Sequence, residues 1–281
     1  MNKYQNNLEL HLKNNCDLQT VGHHRYTTYP LRLSRVFRLD GINSNRAYFY
    51  SMNTSPGLLA GDELNISLLL ETNSNLYLTD QAATKVHPMP DGESKATVNY
   101  QIEVRPQANL ELVPEPIILY TDAALNQNTA IKLDCEAKLF LTEIVLPGRL
   151  ARGESYQFRY YLNRLKVSDL TGKLLFKDAM YLEGKTNLFK DSKLFTPLPI
   201  MGSAIAIYPN LNLDKLNTQI ESIQMDNFPK LMVATSILPS DRGLLIRAFA
   251  SKTIQLKRYF HLILQSIRNL TQDSDLPYIP K

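Results

Sequence analysis

One spacing recurs three times along the chain and limits what it can fold into. Leu70-ETNSN-Leu76-Tyr-Leu78, Val104-RPQAN-Leu110-Glu-Leu112 and Leu133-DCEAK-Leu139-Phe-Leu141 each run apolar residue, five turn-like residues, then apolar-x-apolar. A strand–turn–strand unit cannot bury its own apolar face, so copies of it stack until neighbours cover one another. The expectation is layered β structure, either a solenoid-like stack or a large sandwich. The surrounding segments agree. LNISLLL (64–70), NLYLTD (75–80), ATVNYQIEV (96–104), NLELV (109–113), AIKLD (130–134) and KLFLTEIVL (138–146) are apolar and β-branched, with Pro, Gly, Asn and Asp between them. An antiparallel meander would give similar spacing, so the arrangement of the strands stays open at this point.

A second group of strands is expected at SYQFRYYL (155–162), RLKVSDL (164–170) and KLLFKDAMYL (173–182), with Thr171-Gly172 as a tight turn. After residue 185 the pattern changes. Residues 186–210, with Pro197, Pro199 and Pro209, read as a connecting loop followed by the short strand SAIAIY. Leu216, Ile220 and Ile223 recur at helical spacing, KLMVATSIL (230–238) and GLLIRAFA (243–250) read as strands, and Ser251 is placed to cap a final helix. That helix carries the stripe Leu256, Tyr259, Phe260, Ile263, Ile267 and Leu270. The fold expected is mainly β with two C-terminal helices. It forms one domain over 1–281, β-rich over 1–209 and mixed strand and helix over 210–281.

Composition narrows function. A net charge of +4 spread over 281 residues, without tryptophan and with no basic run beyond Lys257-Arg258, is not a nucleic-acid footprint. No signal peptide and no membrane-spanning stretch is visible, so no membrane partner is expected. Cys16 and Cys135 stand alone, which points to a reduced, cytoplasmic protein. None of the five histidines lies in HExxH and no CxxC occurs, so no tight structural metal site is expected, although His23-His24 could bind a metal weakly. GxGxxG, GxxxxGK[ST] and GxSxG are all missing, which argues against an enzyme.

Carboxylates on apolar strand faces depart from simple packing. Side chains two apart in a strand share a face. Glu143 therefore lies with Leu139, Leu141 and Val145, Asp178 with Phe176, Met180 and Leu182, and Asp80 with Leu76 and Leu78. Asp80 and Glu143 hold the same position in the repeat, so a stack would align them in one column. Buried charge without a partner is costly, so such residues are paired or line a wet cavity. Salt bridges to Arg149 or Lys138 would be the structural explanation. An oxygen-lined path able to pass a divalent cation without gripping it would be the functional one.

Five segments in order resemble the UreD/UreH family of urease accessory proteins: SPGLLAGDELNISL (55–68), LYLTDQAATKVHP (76–88), NLELVPEPIILYTDA (109–123), TEIVLPGRLARGESYQF (142–158) and LPSDRGLLIRAFA (238–250). Pro56, Ala60 and His87 depart from the usual pattern. The resemblance implies a helical β stack with a few helices and a non-enzymatic scaffold for urease maturation. Its partners would be a UreF-type helical protein, through it a UreG-type GTPase, apo-urease, and indirectly a UreE-type nickel metallochaperone. No cofactor would be tightly bound, with nickel only in transit. The family's tunnel lining matches Asp62, Thr84, Glu143 and Asp178, and Asp80 is a secondary candidate. Arg149, Arg152 and Glu154 are a candidate partner surface or a plain hairpin turn, and the aromatic pair Tyr259 and Phe260 either a docking face or a cover for the sheet. A carbohydrate-binding β-sandwich and a β-helix polysaccharide-acting enzyme are the alternatives. The first would need exposed aromatics, which 15 tyrosines permit, and the second clustered acids or a calcium site.

Overall fold

The computed structural model describes residues 5–41, 44–186, 190–193 and 195–280. In chain order the strands are β1 (Leu8–Asn14), β2 (Thr20–Thr27), β3 (Leu31–Leu33), β4 (Ala47–Asn53), β5 (Glu63–Leu70) and β6 (Asn75–Asp80). There follow β7 (Thr84–Val86), β8 (Ala96–Val104), β9 (Asn109–Leu112), β10 (Ile117–Leu119), β11 (Ala124–Leu133) and β12 (Lys138–Leu146). The last are β13 (Tyr160–Ser168), β14 (Leu174–Glu183), β15 (Ile200–Ile207), β16 (Met232–Ile237) and β17 (Leu244–Ala250). Helix α1 (Leu213–Asn227) precedes β16, and α2 (Thr253–Leu270) follows β17.

These strands form two layered sheets between which the chain passes back and forth. The first sheet has the order β14-β13-β11-β8-β5-β1-β2, and the second β16-β17-β15-β12-β9-β6-β4-β3 with β10 and β7 attached through β12. Within the first sheet β1, β5, β8, β11 and β13 are parallel neighbours; within the second, β4, β6, β9 and β12 are. Parallel pairing of units that alternate between sheets is a coil, which decides for a helical stack and against a meander. The repeat sets its register. Leu70, Val104 and Leu133 are direct partners, as are Leu76, Leu110 and Leu139, and then Leu78, Leu112 and Leu141. All but half-buried Leu141 are in the core, each contributing about 1.5–3 kcal/mol. Antiparallel strands β2 and β14 close the ends of the first sheet, and β3 and the β15–β17 group those of the second.

A second core lies on the outer face of the second sheet. Phe140 and Ile144 of β12, with Ala204, Ile246 and Ala248, meet Leu256, Tyr259, Phe260, Ile263 and Ile267 of α2. Both faces of β12 are thus covered, which is why its sequence is almost unbroken apolar residues. The Phe260 ring lies so close to Gly202 that an added Cβ would approach it to 2.8 Å. Helix α1 packs on α2, its first turn capped by the Asn212 side chain accepting from the Lys215 N–H at 2.8 Å. Among the described residues no helix is long and apolar enough to cross a membrane.

Three local expectations change. Residues 155–170 hold one strand, beginning at Tyr160, where the sequence suggested two. Asn163 looked like a break but continues the strand with its amide turned inward. Helix α2 begins at Thr253 with Lys252 as its N-cap, one residue after the expected Ser251. Part of the expected 186–210 loop lies outside the described residues, and its strand begins earlier, at Ile200.

Candidate functional site

Between the sheets is a cavity of about 200 Å³. Its lining runs from the loops at Ser55–Leu58 and Gln81–Lys85 to Asp178, Ser203 and Leu245, and includes Asp80, Thr84, Gln127, Asn163 and Glu143. Asp80, Pro114 and Glu143, each four residues beyond the aligned Leu76, Leu110 and Leu139, all face it. The two acids expected in one column thus both line the cavity, with Pro114 at the equivalent position of the middle unit. Both acids act on Tyr100, which also lines the cavity: burial raises the pKa of its hydroxyl, and the charges of Asp80 and Glu143 raise it further. The Asp80 carboxylate accepts the Glu115 N–H at 3.2 Å.

Glu143 is the most unusual group in this cavity. It is only 9% exposed, yet among the described residues no Lys, Arg or His forms an ion pair with it. Its partners are neutral amides. Gln127 donates to Oε2 at 2.5 Å, and Asn163 Nδ2 lies 3.0 Å from both oxygens. Gln127 and Asn163 face each other across β11 and β13 of the opposite sheet, so the cradle spans the interior. Burial pushes the Glu143 carboxyl up to about 6, against the pull of Tyr161, Gln127 and Asn163, and the negative charge of Asp178 adds to the rise. At neutral pH it carries a negative charge that is readily neutralised.

Asp178 differs. Arg247 Nη2 of β17 lies 2.9 Å from both its oxygens, an ion pair about one third exposed that ties edge strand β14 of the first sheet to β17 of the second. Arg247, Ser203 and Glu143 are register partners in one row across β17, β15 and β12. Thr84 is half-buried at the start of β7 and belongs to the lining. Asp62 is not part of it. Its carboxylate accepts the Leu59 N–H at 2.8 Å and its carbonyl the Thr97 N–H, as a turn residue does.

The segment from Gly148 to Glu154 is a closed loop. Gly148 has φ +152° and packs so tightly on Glu154 that an added Cβ would lie 2.4 Å from its carbonyl oxygen. Arg149 Nε meets Glu154 Oε2 at 2.6 Å and the guanidinium covers the Tyr120 ring, while Glu154 Oε1 accepts the Thr121 N–H. Arg149 is thus occupied by Glu154 and does not pair with the cavity acids. Arg152 is exposed. Of the two roles open to Tyr259 and Phe260, docking face or cover for the sheet, the structure shows the second: they are buried at 0% and 2% exposure.

Sequence reasoning missed a second polar centre beneath α2. Glu111 of β9 is fully buried; Arg268 donates to it from Nε at 2.9 Å and Nη2 at 2.5 Å. Arg46 bonds Asp40 at 2.9 Å and Asp273 at 2.5 Å, and Asp40 also accepts from Tyr48. Burial alone would lower the Arg268 pKa, but Glu111 outweighs it and the pKa is raised. The available signal was Arg268 itself, four residues after Leu264 and eight after Phe260 on the buried row of the helix.

Among the described residues no three His, Cys, Asp or Glu side chains converge on a metal-sized site, and both cysteines are exposed thiols. A helical two-sheet β stack with an acidic interior and helices on one outer face is the architecture implied for the urease accessory proteins. The chain belongs to that family: the UreD urease accessory protein family is matched over residues 5–281. It is 52% identical over 276 residues to the urease accessory protein UreD of Trichodesmium erythraeum (strain IMS101), covering 98% of this chain and 99% of that one. It is 26% identical over 250 residues to the UreD of Photorhabdus laumondii subsp. laumondii, covering 88% and 77%. To the UreD of Haloarcula marismortui it is 25% identical over 270 residues, covering 96% and 88%. All three carry the name of an accessory protein, not of a carbohydrate-binding module or a polysaccharide enzyme.

Proposed function

We propose that this protein is a non-catalytic cytoplasmic scaffold of urease maturation whose interior passes Ni²⁺ toward apo-urease. It does so while bound to a UreF-type helical protein and, through it, a UreG-type GTPase, with a UreE-type metallochaperone as the source of the metal. The observation that carries this reading is Glu143, a buried carboxylate cradled by amides and, among the described residues, not ion-paired. A structural ion pair would have a partner, and a simple core position would be apolar. A carboxylate facing this cavity attracts a divalent cation, and oxygen donors without Cys or a histidine cage hold Ni²⁺ weakly enough to release it. Asp178, tied to Arg247, and Asp80 extend the acidic lining to either side of Glu143.

The test is to purify complexes carrying Glu143→Gln, Asp178→Asn or both, then measure nickel content and urease activity after maturation. The expected result is intact complexes that activate urease poorly, the double variant worst. Full activation by the double variant would refute the transit role, and loss of soluble protein would assign these residues to folding.

A further inference from the structure

Strands β1 and β2 are antiparallel, and His11 stands directly opposite His24, with ring centroids 4.8 Å apart and planes tilted by 48°. Leu8, Leu10 and Leu12 point into the core, so Glu9 and His11 lie on the outward face of the first sheet. The register shifts immediately after His11, leaving His23 as the extra residue of a bulge. The adjacent pair in the sequence is therefore not the pair in space.

Glu9 completes the arrangement. Asn6 donates to its Oε1 at 2.9 Å, and His24 Nε2 lies 2.8 Å from its Oε2. An ionised carboxylate only accepts, so Nε2 of His24 carries the proton, and in the neutral ring the Nδ1 lone pair is left available. Donation of the far ring nitrogen to a carboxylate is the outer-sphere arrangement that orients metal-binding histidines and makes them more basic ligands.

We propose that His11 and His24 form a two-imidazole surface site for a divalent transition metal of the Ni²⁺, Cu²⁺ or Zn²⁺ class, with Glu9 as its outer-sphere carboxylate. Imidazole suits these metals, and hard cations such as Mg²⁺ and Ca²⁺ prefer oxygen donors. Two ligands on paired strands of a large sheet are held near each other before the metal arrives, so little ordering remains to be done on binding. With two protein ligands the coordination shell is completed by water, leaving positions that a side chain of another protein can take. The internal cavity opens on the other face of the sheet, so this site is separate from the path proposed above and stands or falls without it.

The experiment titrates the full chain with NiCl₂ in a non-coordinating buffer by calorimetry and records electron paramagnetic resonance with Cu²⁺ as a second probe. The expected result is a site weakened at least about tenfold by His11→Ala or by His24→Ala, and up to about tenfold by Glu9→Gln. His23→Ala and Glu143→Gln leave it unchanged. The Cu²⁺ spectrum shows hyperfine splitting from two nitrogens in the native chain and from one in His24→Ala. These are outward-facing positions, so the core is untouched by the substitutions. Native affinity and splitting in His24→Ala would overturn the site, and so would a His23→Ala loss as large as that of His24→Ala.

Discussion

Replacing Glu143 by Gln should make the protein more stable at neutral pH, not less. Burial raises the carboxyl from 4.5 to about 6 in the folded chain. Between those values the folded state holds a proton that the unfolded state has released, so stability falls as pH rises through the window. The shift is about 1.5 units, and at 1.36 kcal/mol per unit the ionised carboxylate costs about 2 kcal/mol above pH 6 and nothing below pH 4.5. Gln removes that cost and fits the cradle. Its amide oxygen accepts from Gln127 or Asn163, and its NH₂ can donate to Asn163 Oδ1, which has no partner among the described residues. Urea unfolding of the two proteins at pH 7.5 and pH 4.5 measures the difference. The variant should gain up to about 2 kcal/mol at the higher pH, with the curves converging at the lower. A variant destabilised by several kcal/mol at pH 7.5 would show the charge to be half of a structural pair.

Arg268→Met strands Glu111 under α2 with Arg46 as its remaining cation, and should cost about 3–5 kcal/mol. In urea unfolding, the loss should shrink when Glu111→Leu is added; a double variant no better than the single would refute the pairing. Chelation with EDTA should leave the melting temperature unchanged, because among the described residues no closed ligand set is formed. A large drop in a thermal scan would reveal a structural metal.

What could be read from the sequence follows the stack. In a coil each layer repeats the positions of the last, so Leu70, Val104 and Leu133 declare their register without the structure, and Asp80 and Glu143 declare their column. Strand parity alone was enough to place Glu143 inside. Parity failed where a third layer covers a face that would otherwise meet water. Glu111 alternates with Leu110 and Leu112 as a solvent-facing residue would, and only α2 makes it buried. The same helix makes core of Tyr259 and Phe260, whose sequence left docking open as well. Asn163 misled in the opposite direction: an amide in mid-strand reads as a turn unless an acid is known to wait across the cavity. Tertiary partners far apart in sequence, 157 residues in the case of Glu111 and Arg268, leave no local periodicity to detect.

Pro114, in the middle layer of the acid column, sets a length. Neighbouring strands are about 4.8 Å apart, so acids two layers apart are separated by about 9–10 Å. Ligand oxygens lie within about 2–2.5 Å of a metal ion, so one ion touching both Asp80 and Glu143 would have to draw both side chains toward the middle layer. Under the proposed transit role, a cation in this interior would meet its acids in turn and release the first as the second takes hold. On that proposal the missing rung makes the column a relay of separate stops, and a carboxylate at position 114 would halve the step and favour retention of the ion.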